Sequence, residues 1–97
     1  MEVLLRIYSS NEEKLEDYLR LLFSYNLKGA VVLQGIGGFG KGREFHAEEI
    51  EVLSYELPVV IEVLEDREKV IKFLEENKEA LRDCFITLEK VKEWGQF

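Results

Sequence analysis

The sequence predicts an α+β fold, a βαββαβ protomer with a long loop between its second and third strands. Three observations carry that prediction: alternating apolar residues over Val3–Tyr8, an apolar stripe at helical spacing from Leu15 to Phe23, and the β-branched run Val59-Val60-Ile61-Glu62-Val63-Leu64 with a second helical stripe after it. At 97 residues the chain is expected to form one domain spanning 1–97, burying roughly 60–65% of its unfolded surface.

The elements follow in order. Val3, Leu5 and Ile7 form one face of the first strand, and Leu4, Arg6 and Tyr8 the other, so both faces are apolar enough to be covered. Ser10-Asn11-Glu12-Glu13 then supplies a capping-box pattern, which satisfies the first free amides of a helix. Leu15, Tyr18, Leu19, Leu22 and Phe23 recur along that helix and are expected to face inward. Asn26 and Gly29 end it, and Ala30–Gln34 reads as a short buried strand.

The cluster Gly35-Ile36-Gly37-Gly38-Phe39-Gly40-Lys41-Gly42 opens the long loop. Phe45–Ser54 fits strand and helix periodicity equally and is taken as an arm of that loop. Pro58 closes it, and the third strand follows. The second helix starts near Asp66 and is expected to carry Val70, Phe73, Leu74 and Leu81 inward. The last strand falls near Phe85–Val91, with Ile86, Leu88 and Lys90 on one face. This order is the ferredoxin-like arrangement, which lays two helices on one face of an antiparallel sheet. The opposite face has no layer left to cover it, so self-association through that face is expected.

Composition narrows function. Thirteen basic residues against twenty acidic give a formal charge of −7, so a phosphate backbone is repelled and nucleic-acid binding is not expected. Seventeen of the acids are Glu, and Gln occurs twice, a bias associated with hyperthermophiles. No run approaches a membrane span, Met1–Tyr8 lacks a signal-peptide pattern, and the lone Cys84 cannot pair internally. A reducing, cytoplasmic setting is the expectation.

Five of the seven glycines fall within residues 35–42, where absent Cβ atoms let successive amides turn toward one anion. A long loop needing several positive φ values would use the same residues. Residues 18–43 hold no acid but contain Arg20, Lys28, Lys41 and Arg43, a +4 island in a chain that is −11 elsewhere. Such an island suits a phosphate or carboxylate ligand. Gly35–Gly40 fits G-x-G-x-x-G, but no βαβ unit surrounds it; Gly35–Lys41 fits the start of a P-loop, but Gly42 stands where Ser or Thr must hold magnesium.

Catalysis finds no triad around His46, and no set of metal ligands is evident, so neither an enzyme nor a metal site is expected. Glu48-Glu49-Ile50-Glu51 reads as a solvated face. Glu62 interrupts an apolar strand and must face water, a partner subunit or a ligand.

Leu4-Leu5-Arg6-Ile7-Tyr8, Ala30–Gly40, His46 and Leu57-Pro58-Val59-Val60-Ile61-Glu62 together resemble a small uncharacterised family of PII-like proteins, relatives of the nitrogen-regulatory PII signalling proteins. The resemblance covers nearly the whole chain. It implies a cytoplasmic regulatory homotrimer, its sheets facing the threefold axis, that binds an adenine nucleotide (ADP, ATP or AMP) between subunits. It also implies a flexible loop, here about Phe39–Tyr55, that grips a target protein; relatives are associated with membrane transporters. Gly38, Phe39 and Gly40 match the turn at the base of that loop, and Glu62 matches a strand glutamate near the nucleotide. Gly35, Gly37, Lys41 and Arg43 join the expected nucleotide-binding set from charge and backbone access, and Arg6 from its strand position. Tyr55 is a candidate modification site on the loop. PII proteins carry a second glycine-rich phosphate loop before the last strand, whereas Ala80-Leu81-Arg82-Asp83-Cys84-Phe85 has no glycine. The alternative expectation is therefore a nucleotide-independent module that regulates a membrane transporter, and a third is a small phosphohydrolase using Lys41 and Arg43.

Overall fold

The computed structural model describes residues 1–9, 12–35 and 59–95. The strands are β1 (Glu2–Ser9), β2 (Val31–Gln34), β3 (Val59–Asp66) and β4 (Phe85–Lys90), with helices α1 (Leu15–Ser24) and α2 (Arg67–Glu76) after β1 and β3. All pairings are antiparallel in the order β2-β3-β1-β4. This is the expected ferredoxin-like arrangement.

Strand period two divides the sheet cleanly. Val3, Leu5, Ile7, Ile61 and Val63 point to the helix side and join Tyr18, Leu22, Val70, Phe73 and Leu81 in one core. Phe73 is fully buried and meets the Tyr25 ring edge-on, with centroids 5.0 Å apart. Ile86, Leu88 and Lys90 do share a face, because they pair with Ile7, Leu5 and Val3 on the helix side.

Local chemistry sets the helix ends. Asp66 caps α2 by accepting from the Glu68 amide at 3.2 Å, while the Met1 ammonium pairs with its other oxygen at 3.1 Å. At the end of α1 the left-handed residue is Asn26 (φ 54°), whose short polar side chain tolerates that conformation without a glycine.

Four expectations are corrected. A 3₁₀ turn, Glu12–Lys14, precedes α1, so the helix proper begins at Leu15; Ser10 and Asn11 of the capping box lie outside the described residues. Phe23 is 87% exposed, because Tyr18 and Leu22 centre the buried stripe and Phe23 falls about 100° beyond Leu22. Leu81 is buried but sits in the turns after α2. The second strand is largely exposed: β2 is a sheet edge, and Val31 and Leu33 lie on the face away from the helices.

Candidate functional site

Alternation places Leu4, Arg6 and Tyr8 of β1 on the face that no helix covers. Register brings Val60, Glu62 and Leu64 of β3, Val31 and Leu33 of β2, and Phe85, Thr87 and Glu89 of β4 to the same face. Apolar residues therefore surround a charged centre. Arg6 Nε donates to Glu62 Oε2 at 3.0 Å, and Arg6 Nη1 lies 3.6 Å from Glu89 Oε2. The hydrogen bond to Glu62 raises the arginine's already high pKa, partial burial opposes it, and Glu89 adds to the rise. One cation held by two carboxylates leaves this centre with a net charge of −1, which repels phosphate.

Arg6 and Glu62 are thus brought together, as two of the predicted site residues. Gly35 directly follows β2, whose last residue Gln34 pairs with Val59 while Val31 pairs with Glu62. Four strand residues separate Gly35 from the level of Glu62, roughly 13 Å along the sheet. Gly37, Gly38, Phe39, Gly40, Lys41 and Arg43 lie outside the described residues, as do His46, Tyr55 and the Glu48–Glu51 run.

On this face, the row nearest the start of the glycine loop is Leu33, Val60, Tyr8 and Phe85, one residue from each strand. The Tyr8 and Phe85 rings lie 5.6 Å apart at 54°. This apolar shelf can carry a planar ring. Sequence reasoning missed Phe85 and Glu89, although their alternation with Thr87 marks one face of β4.

The connection between α2 and β4 takes up its own amides. Those of Leu81, Arg82 and Cys84 donate to the carbonyls of Asn77, Glu79 and Leu81 at 3.1, 3.4 and 3.0 Å. These three are therefore not free to cradle a phosphate. Among the described residues no cluster of three or more His, Cys, Asp or Glu could hold a metal, and no helix is long and apolar enough to cross a membrane.

Sequence reasoning also missed Glu65. This carboxylate is 1% exposed and accepts from the Lys28 amide at 2.7 Å and the Asp66 amide at 2.9 Å. It fastens the α1–β2 connection to the end of β3. No local pattern marks it, because one donor comes from 37 residues away.

The four-stranded sheet with its two one-sided helices defines a PII-like fold. CPII, a nitrogen regulatory PII-like protein from Thiomonas intermedia K12 solved with ADP, AMP and bicarbonate, matches with a TM-score of 0.70 at 15% identity, over 99% of this chain and 96% of its own. A second CPII structure, with ADP and bicarbonate, also gives 0.70 at 15% identity, over 93% of this chain and 85% of its own. The family model DUF190 (Uncharacterized ACR, COG1993) matches residues 2–93, and the chain belongs to that family. A UPF0166 protein of Aquifex aeolicus (strain VF5) is 71% identical over 93 residues, covering 96% of this chain and 97% of the relative. Another from the same organism is 39% identical over 95 residues, covering 92% and 90%.

Proposed function

We propose that this chain is a non-enzymatic PII-like regulator that assembles as a homotrimer and binds an adenine nucleotide at the glycine loop. The observation that carries this reading is the likeness to CPII over 99% of the chain, since CPII was solved with ADP and AMP. The sequence supports it locally: Gly35, Gly37, Gly38, Phe39, Gly40, Lys41 and Arg43 combine backbone access with positive charge in an acidic chain. Phosphates lie against those amides and cations, and the purine packs on the shelf of Tyr8 and Phe85. Arg6 and Glu62 form the sheet floor beyond it, where Glu62 and Glu89 around the one arginine keep the centre net negative. Binding reorders the loop and shifts its grip on a target protein by differential affinity for the two loop states.

Calorimetric titration of the purified protein with ATP, ADP and AMP, each with and without bicarbonate, tests this. A ligand binding only the native state raises stability by about 2.7 kcal/mol at a hundredfold excess over Kd. Heat and a thermal shift with one nucleotide are expected. Silence with all three sinks the nucleotide reading.

The occupied amides between α2 and β4 favour a second reading, a target-binding module indifferent to nucleotide, with a membrane transporter as one target class. Co-purification of such a target, equal with and without ATP, supports it.

A further inference from the structure

Two exposed apolar features sit near one end of the sheet. The first is a groove of about 210 Å³ between the end of α1 and the start of β2, lined by Leu19, Leu22, Phe23, Leu27, Gly29 and Ala30. All six are apolar or small, and Phe23 stands 87% exposed at its edge. The second is Trp94, 98% exposed on the segment after β4. That segment borders Lys28 through Val91, Lys92, Glu93 and Gly95, so it runs beside the Leu27–Ala30 connection that walls the groove.

An indole in water forgoes the burial of roughly 150–250 Å² that this side chain ordinarily contributes. The apolar groove likewise lacks a filling. Trp94 is nearly fully exposed in its own chain, so it does not fill its own groove. We infer that Trp94 of one copy of this chain docks into the α1–β2 groove of a neighbouring copy. Knob and hole are different surfaces, so the contact is heterologous, and such contacts repeat around a closed ring when the rotation closes. The inference rests on the homo-oligomer of the proposed function and names a contact that holds it. Tryptophan is also among the residue types enriched as interface anchors in desolvated pockets.

Trp94 is the only tryptophan, so its fluorescence reports this contact alone. Emission is expected to be blue-shifted at concentrations where sedimentation shows the oligomer, and to move red on dilution to monomer. Trp94→Ala is expected to raise the dissociation constant roughly thirtyfold, the change for a hot-spot anchor. Gly29→Leu is the companion variant: Gly29 lines the groove and a Cβ there meets nothing within 4 Å, so the backbone accepts a side chain that competes for the groove. It is expected to weaken assembly and leave Trp94 emission red. An oligomer of unchanged mass with water-like emission overturns the contact but keeps the oligomer. A blue shift independent of concentration and of Gly29→Leu places the indole on its own chain and also overturns it. Monomer at every concentration overturns both this contact and the oligomer on which it rests.

Discussion

Arg6 and Glu62 stand directly opposite one another on β1 and β3, and the guanidinium Nε donates to the carboxylate at 3.0 Å. Glu89 approaches the same arginine from β4 at 3.6 Å. The arginine stands between two like charges on the strands that flank β1, so its main contribution is to relieve their repulsion. Arg6→Met is therefore expected to be less stable to urea than the double variant Arg6→Met/Glu62→Met, which removes one of the opposed carboxylates. The gap narrows in high salt, since these groups are only partly shielded from solvent. Equal midpoints for the two variants mean that Glu62 and Glu89 do not repel one another measurably once the arginine is gone.

Glu65→Gln is expected to destabilise the protein by about 2–3 kcal/mol in equilibrium urea unfolding. The amide retains one acceptor but turns its NH₂ toward a backbone N–H that the second carboxylate oxygen now satisfies. Burial pushes the Glu65 carboxyl upward, yet the amides of Asp66 and Lys28, with the charges of Lys69 and Lys28, outweigh it and hold the group below its ordinary value. A carboxyl lowered by folding stabilises above its unfolded pKa and loses that contribution as pH falls through the folded one. Parent stability is thus expected to decline between neutral pH and about pH 3 more steeply than that of Glu65→Gln. Parallel curves would exclude Glu65 as the source.

What the sequence could disclose depended on range. Val3, Leu5 and Ile7 announce β1 by local alternation, and Asp66 announces the start of α2 because a cap acts within two residues. The Arg6–Glu62–Glu89 centre needs the register of three strands distant in sequence, which alternation alone does not fix. Phe23 belongs to the helical stripe by spacing, but only the position of edge strand β2 decides that it borders an open groove. Glu65 reads as a polar strand end, and its burial depends on an amide brought from Lys28. For the candidate site, Arg6 and Glu62 are placed in the sheet and Gly35 just after β2, and the remaining loop residues stand on sequence alone.

Tyr18 is expected to ionise well above the ordinary range of a phenol in an ultraviolet pH titration. Burial, followed by its hydrogen bond with Cys84, pushes the phenol from 10.0 up to about 12, against an opposing hydrogen bond with Ser9. The folded state thus holds the neutral phenol more firmly than the unfolded chain does. Its contribution is complete below about pH 10 and drains away as pH rises toward 12. Tyr18→Phe keeps the ring in the core and abolishes this share of alkaline destabilisation. A parent and variant that lose stability in parallel above pH 10 would assign the loss to other groups.

Lys41→Glu and Gly38→Val test the nucleotide grip from two directions. Lys41 lies in the acid-free span 18–43, whose +4 charge stands against −11 in the remainder. Reversing one charge there removes a charge-assisted hydrogen bond to phosphate, worth about 1.5–3 kcal/mol, and adds a repulsion. Nucleotide affinity should fall by at least about tenfold. Gly38→Val leaves charge unchanged but adds a branched Cβ where an anion must approach backbone amides, so it should weaken the same ligand by another route. Kd from calorimetry is the readout, with oligomer mass and ligand-free thermal midpoint as controls expected to match the parent. If both variants bind nucleotide as the parent does, the phosphates are held elsewhere on the protein. If Gly38→Val alone loses affinity, backbone amides rather than the lysine supply the grip, as expected of an anion nest whose donors are N–H groups.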